Sequence, residues 1–396
     1  MDPIYLDHAA TTPIRREARE AMLPYLDARF GNPSSPHHWG REARAALEEA
    51  RERVAAALGA ARREIVFTSG GTEADNLAVL GRWRAAALAA RAAGGAGVAP
   101  PPIACSAVEH KAVLGAVHAA GDEGAEELIL AVDSEGRLDT GALDEALAAR
   151  PAVVSVMWAN NEVGTLQPVE TVAARCHAAG VTFHSDAVQA FGKTRVRVDE
   201  IPVDLLSISG HKIGGPKGIG ALFLRGGVEG TALEPLVHGG SQEGALRPGT
   251  ESVPLAVALG VAAELAAREQ EAEARRLTAL RDRLEGALLR HIEGLVVNGA
   301  GAPRLPQTLS ISIPAVDRDA LLVSLDLEGV AGSTGAACQS GVVEPSHVLV
   351  AMGRALPGET VVRLSLGHTT TDAEIERAAE IIPRVVARLR AVAGVL

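Results

Sequence analysis

From about Glu64 to Arg225, short β-branched runs take turns with Ala-rich helical stretches, and this alternation constrains the fold more than any other feature of the chain. The runs are Ile65-Val66-Phe67-Thr68, Val153-Val154-Ser155-Val156, Val181-Thr182-Phe183 and Leu205-Leu206-Ser207-Ile208. They predict an α/β protein with a mostly parallel sheet and helices on both faces. In such sheets ligands bind beyond the carboxyl ends of the strands, so the residues just after each strand are the first candidates for a site. The stretch from Ala92 to Pro102, rich in Ala, Gly and Pro, reads as a surface connection between a helix and the next strand. Near Pro254 the pattern changes. A long helix with Glu and Arg on its polar positions runs to about Ile292, and a mixed tail follows. The tail holds a strand (Leu309 to Ile313), a helix (Arg318 to Glu328), a glycine-rich loop, a strand (Val361 to Leu366) and a closing helix from about Asp372. A smaller α+β domain is expected there.

At 396 residues the chain is long enough for one large or two moderate domains with a sizeable core. Hydrophobic residues make up 47% and aromatics only 3%, so aliphatic packing must dominate that core. The net charge of -11 argues against a nucleic-acid backbone as the main partner, which would require a dense positive field. Met1 to Thr12 lacks a basic segment followed by an apolar one, and no apolar run is long enough to span a bilayer; a cytoplasmic protein is expected. The three cysteines, Cys105, Cys176 and Cys338, form no CxxC pair and leave an odd thiol, so neither a disulfide framework nor a metal site is expected.

The strongest local signal is Ser207-Ile208-Ser209-Gly210-His211-Lys212-Ile213-Gly214-Gly215, a strand running into a glycine-rich turn with a lysine at its mouth. Such a lysine can hold an aldehyde cofactor covalently and later act as a base, although a lysine after a strand is more often solvated. Asp186, in Phe183-His184-Ser185-Asp186-Ala187-Val188-Gln189, follows another strand and suits an anion beside a pyridine nitrogen; it could equally cap a helix from Ala187 to Phe191. The run Thr68-Ser69-Gly70-Gly71-Thr72-Glu73 opens a helix, where free backbone N–H groups and the Thr72 hydroxyl make a natural phosphate cradle. Neither a G-x-x-x-x-G-K-[ST] loop nor a clear G-x-G-x-x-G is present, which disfavours mononucleotide and dinucleotide cofactors. His110 follows the strand Ile103 to Ser106 and could lie flat on a ring or relay a proton; its alternative is a structural histidine. Cys338 sits in a loop of small residues, which gives a thiol exposure and mobility, unless it is an accidental loop cysteine. Cys105 and Cys176 occupy apolar strand or helix positions and read as small core residues.

Taken in order, these blocks resemble the cysteine desulfurases of the NifS/IscS type, within the class V aminotransferase superfamily. The likeness adds Tyr5-Leu6-Asp7-His8-Ala9-Ala10-Thr11-Thr12-Pro13, Phe30-Gly31-Asn32-Pro33-Ser34-Ser35, Ala159-Asn160-Asn161-Glu162-Val163-Gly164-Thr165 and Val362-Arg363-Leu364-Ser365-Leu366-Gly367, and covers nearly the whole chain. It implies the fold of the type I enzymes dependent on pyridoxal 5'-phosphate (PLP). That fold has a mostly parallel seven-stranded sheet in a large domain, here 15–255, and a small domain from 1–14 and 256–396 that carries the cysteine loop, about 329–342. The resemblance further implies PLP held on Lys212, with Asp186 at the ring nitrogen, His110 stacked on the ring and Gln189 at its phenolic oxygen. Thr72, Ser209 and His211 would contact the phosphate, as would Thr250 across a homodimer. Asn161, Arg363 and Asn32 would bind substrate, Asn161 also touching the cofactor. The implied reaction takes sulfur from L-cysteine, leaves a persulfide on Cys338 and releases L-alanine, with His110 as proton carrier. The sulfur then passes to an acceptor in iron–sulfur cluster assembly, tRNA thiolation or DNA phosphorothioation. Two departures stand out. The family's Ser-Ser-Gly-Ser-Ala-Cys is here Ser333-Thr334-Gly335-Ala336-Ala337-Cys338, and its Gln-Glu-Arg-Gly-x-Arg is Gln242-Glu243-Gly244-Ala245-Leu246-Arg247. An aminotransferase or selenocysteine lyase on the same scaffold, or a non-catalytic partner in a sulfur-transfer complex, are the rival readings.

Overall fold

The computed structural model describes residues 2–95, 97–334, 345–355 and 358–394. Its centre is a seven-stranded sheet. Across the sheet the strands are Ile65–Thr68, Gly220–Leu224, Leu205–Ser209, Thr182–Asp186, Val153–Ser155, Ile103–Ser106 and Glu127–Leu130. All neighbours are parallel except Gly220–Leu224, which runs antiparallel to both of its partners. Successive side chains of a strand point to opposite faces, and each face here has its own apolar cluster. Val154, Phe183, Leu206 and Phe223 face the helices His38–Leu58 and Val169–Ala179. Val153, Leu205 and Leu222 face the helices Gly71–Gly94 and Lys111–Asp122. Burial on both faces is why these runs are continuous rather than alternating in polarity.

The helix Gly71–Gly94 extends into the stretch read as a connection, so only the residues after Gly94 form it. Gly220 settles where that helix starts: a Cβ there would lie 2.7 Å from the Gly70 carbonyl carbon and 2.7 Å from the Ile208 oxygen. Only glycine lets the turn before the helix lie directly on the sheet.

A 39-residue helix, Val253–His291, links two cores. Its first half packs Ala256, Leu259 and Ala263 against the large sheet, and its second half packs Leu277, Leu284 and Leu288 into a separate cluster. That second cluster contains Leu309, Ile311 and Ile313 from an antiparallel sheet formed by Val296–Val297, Thr308–Pro314 and Glu359–Ser365. The helix Asp372–Val392 contributes Ile375, Ile382 and Val385, and the N-terminal strand adds Ile4, which pairs in parallel with Val330. Among the described residues no helix is long and apolar enough to cross a membrane.

The departure at 244–245 falls on unusual backbone. Gly244 has φ 64° and Ala245 φ 63°, both left-handed, and Ala245 bears a cost of about 1 kcal/mol for its Cβ. The segment is anchored instead by Glu243, whose carboxylate accepts two 2.6 Å hydrogen bonds from Arg51 and one of 2.8 Å from the Phe67 N–H.

Candidate active site

Four neighbouring strands of the sheet end at Ser209, Asp186, Ser155 and Ser106, and the chain leaving them turns over a cavity of about 420 Å³. Nine of the candidate residues line it: Thr72, His110, Asn161, Asp186, Gln189, Ser209, His211, Lys212 and Arg363. They come from six separate stretches of sequence: five lie at or just past strand ends of the large sheet, and Arg363 reaches in from the strand Glu359–Ser365 of the small one.

Lys212 stands on the turn after Leu205–Ser209, with Nζ donating to the carbonyls of Ala9 (2.5 Å) and Ala10 (2.8 Å). Burial and the neighbouring Arg363 guanidinium lower its pKa to about 8, so a useful fraction of the amine is neutral near neutral pH. Asp186 ends its strand, and its Oδ1 accepts the Val188 N–H (2.8 Å) in a turn. The helix considered for Ala187 to Phe191 does not form; the chain turns there, because Asp186 caps a turn and not a helix. Burial raises the Asp186 pKa, opposed by His110 and Lys212.

His110 caps the helix Lys111–Asp122, its Nδ1 accepting the Ala112 N–H at 3.1 Å, which leaves Nε2 for a ligand. Burial lowers its pKa, as do Lys212 and His347. Gln189 donates to the Ala9 carbonyl (2.8 Å), and the His211 ring contacts the Thr11 hydroxyl through Nδ1 (3.2 Å). Arg363 is only 4% exposed. It donates to the Asn161 carbonyl (2.8 Å) and to Asp7 Oδ1 (2.9 Å), while its Nε has no partner.

Asn32 and Thr250 are exposed and do not line this cavity; Asn32 Oδ1 accepts the Ser34 N–H (2.9 Å). Cys338 lies outside the described residues. The residues that bracket its segment do not. Ser333 lines the cavity and pairs its backbone with Arg363 (2.5 and 3.1 Å). Beyond residue 344, the Ser346 hydroxyl donates to Glu162 (2.5 Å) and His347 Nε2 donates to the Glu109 carbonyl (2.9 Å). Cys105 and Cys176 are fully buried, and burial pushes the Cys176 thiol up to about 12. Both are core residues.

Sequence reasoning passed over Asp7, Asp75, Glu109, Met157 and His347. Asp75 stands three residues after Thr72 on one helix, and that spacing was the available signal; Asp7 lay inside a block already singled out, but its bond to Arg363 spans 356 positions. Glu109 and His347 carried none, since they meet through a tertiary contact across 238 positions.

The class-V aminotransferase family matches residues 4–378. A cysteine desulfurase IscS of Dictyoglomus turgidum is 45% identical over 392 residues, covering 98% of this chain and 96% of that relative. Among solved structures, a NifS-like protein superposes with a TM-score of 0.86 at 34% identity, covering 98% of this chain and all of that one (100%). SspA in complex with cysteine superposes with a TM-score of 0.77 at 34% identity, covering 92% and 98%. The chain belongs to the cysteine desulfurases of the class-V aminotransferase family. Enzymes of this family generally depend on PLP.

The donor set of this cysteine desulfurase fits that cofactor. An amine, a buried carboxylate and a flat imidazole share one cavity, which is also lined by two hydroxyls, Thr72 in the first turn of the helix Gly71–Gly94 and Ser209 at the end of its strand. The unpartnered Arg363 Nε on the opposite wall suits a carboxylate ligand.

Proposed function

We propose that this chain uses PLP to remove sulfur from L-cysteine, leaving the sulfur on Cys338 as a persulfide and releasing L-alanine. One observation carries the proposal: Lys212, Asp186, His110 and Arg363 line a single cavity, and both described ends of the Cys338 segment are tied to its rim. Lys212 would hold the cofactor, Asp186 its ring nitrogen, His110 its face and Gln189 its phenolic oxygen. Thr72, Ser209 and His211 would take its phosphate. Bound there, the cofactor supplies an electron sink for negative charge at the substrate Cα.

The remaining chemistry belongs to the chain's own side chains. Arg363 and Asn161 hold the substrate carboxylate, and the Lys212 amine takes the Cα proton. The Cys338 thiolate attacks the substrate sulfur; an S–S bond forms as the C–S bond breaks, and its electron pair stays with carbon. That carbon then takes a proton, and alanine leaves. His110, whose Nδ1 is taken up by the Ala112 N–H, would carry a proton to or from a sulfur through Nε2.

A homodimer belongs to the same proposal, with Thr250 and Asn32 serving the partner's site. Near Asn32 in the sequence, Leu23 (51%), Leu26 (59%), Phe30 (72%) and Trp39 (51%) are exposed, large apolar side chains of the kind that line interaction sites. The two apolar clusters support a large and a small domain, but the boundary they favour lies within the helix Val253–His291 and not at 255, because Ala256 to Ala266 pack with the large sheet and Leu277 onward with the small one. A sulfur-acceptor protein would receive the persulfide sulfur, as in cluster assembly or thiolation.

The deciding assay supplies L-cysteine and a thiol reductant and counts products. Alanine and sulfide are expected in equal amounts; an amino-group transfer to a keto acid, or no turnover in the PLP-loaded protein, would overturn the proposal. Arg363→Lys is expected to raise KM for cysteine by about 100-fold, since a point charge replaces a bidentate fork, with kcat changed by less than about 5-fold. Steady-state kinetics separate the two.

A further inference from the structure

The cavity contains a second buried carboxylate that the proposed reaction does not use. Asp75 lies one turn into the helix Gly71–Gly94, is 1% exposed and lines the cavity. Asp75, His110 and Asp186 each offer an atom, and these atoms all lie within 4.8 Å of one another. Asp75 Oδ1 has no hydrogen-bond partner. Its nearest basic atom is His184 Nε2, at 3.7 Å.

That histidine is no counter-ion. His184 is fully buried, its Nδ1 sits 2.8 Å from the Ser155 hydroxyl and its Nε2 3.0 Å from the Ser207 hydroxyl, and burial lowers its pKa to about 3. It is therefore neutral. His184 and Asp186 share one face of their strand because side chains two apart point the same way, and Asp75 projects onto that face from the helix above. From the segment after Ile103–Ser106 the groups nearby are Glu109 and His110, and from the turn after Leu205–Ser209 it is Lys212. Lys212 and His110 attend Asp186. Asp75 meets two carboxyl groups, Asp186 and Glu109, with the Ser207 hydroxyl as its only offset. A dry carboxylate without a cation and beside another carboxylate is costly, whereas the neutral acid is not.

We infer that Asp75 is a positioning residue that keeps the proton of the Asp75–Asp186 pair, so that the pair's single negative charge stays on Asp186, the member facing Lys212 and His110. This rests on the cofactor reading for its purpose but not for its test. Ionised, Asp75 would draw Lys212 and His110 away from Asp186 and split the charge that a ring nitrogen requires. Protonated, it fills the space behind Asp186 with a neutral donor. Asn reproduces that group in size and charge.

Infrared difference spectra of the protein as purified, wild type minus Asp75→Asn, measure the proton directly. At pH 7 a carboxylic-acid C=O band that shifts in heavy water is expected; if the missing absorption is that of a carboxylate, the inference is overturned. The spectrum is read whether or not PLP is present, so a colourless protein with the acid band would sink the cofactor reading and leave the inference standing. In PLP-loaded protein, Asp75→Asn is expected to leave the pH profile of the bound-cofactor absorbance in place, whereas Asp186→Asn lowers kcat by at least about 100-fold. A shift of that profile in Asp75→Asn would show that Asp75 is charged, and would also overturn the inference.

Discussion

Lys212→Ala is expected to lower alanine production from cysteine by about 10⁴-fold or more, because one residue supplies both the attachment of the cofactor and the base. The protein should still fold. The lost Nζ leaves the carbonyls of Ala9 and Ala10 without that donor, which costs about 1–3 kcal/mol in a domain whose cores lie elsewhere. Lys212→Arg separates charge from amine chemistry. It keeps a cation between Asp186 and the two carbonyls but cannot lose a proton, and it should be as inactive as the alanine variant. With a pKa of about 8, about a tenth of the wild-type amine is neutral at pH 7, and that fraction falls tenfold for each pH unit below. The second-order rate at which apoprotein regains its colour on adding PLP should follow the same slope. A pH-independent rate between 6 and 8, or activity retained in Lys212→Arg, would refute the assignment.

Cys338→Ala is expected to abolish sulfide and alanine release, a loss of about 10³-fold or more, while bound PLP and its absorbance are unchanged. No other thiol can substitute. Cys105 and Cys176 are buried at 0% exposure within the sheet and the helix Val169–Ala179, and burial raises both thiols, Cys176 to about 12. A thiolate is the nucleophile, so neither is competent, and Cys105→Ala and Cys176→Ala should retain full turnover. Quenched-flow trapping with a thiol-alkylating reagent should find the added sulfur on Cys338 alone. Turnover by Cys338→Ala would place the chain among the other chemistries that this scaffold supports.

The order of elements was legible because both faces of the large sheet are buried. Runs such as Leu205–Ser209 are buried throughout, carry no charge and stand out from the Ala-rich helices between them. The long helix after Pro254 was equally plain, and the structure begins it at Val253. The helix considered after Asp186 was not formed, since five residues before a glycine turn cannot outcompete the local bond from Val188 to the carboxylate. At 244–245 the sequence shows a lost arginine. Only the fold shows that Arg51, nearly two hundred positions away, anchors the segment through Glu243.

The site divides along the same line. Lys212, Asp186, His110 and Thr72 could be chosen from the chain alone, because a residue just past a strand, or just inside a helix, has a position that local pattern determines. The sequence by itself therefore determined the sheet, the edge at which chemistry happens, and which side chains stand there. The tertiary structure alone decided their state. Burial beside Arg363 brings Lys212 down to about 8, Asp7 and the Asn161 carbonyl aim the Arg363 guanidinium, and Asp75 acquires a carboxylate neighbour with no cation of its own. Proton affinity depends on solvent exclusion and on charges a few ångströms away in space, and neither is written in the order of residues.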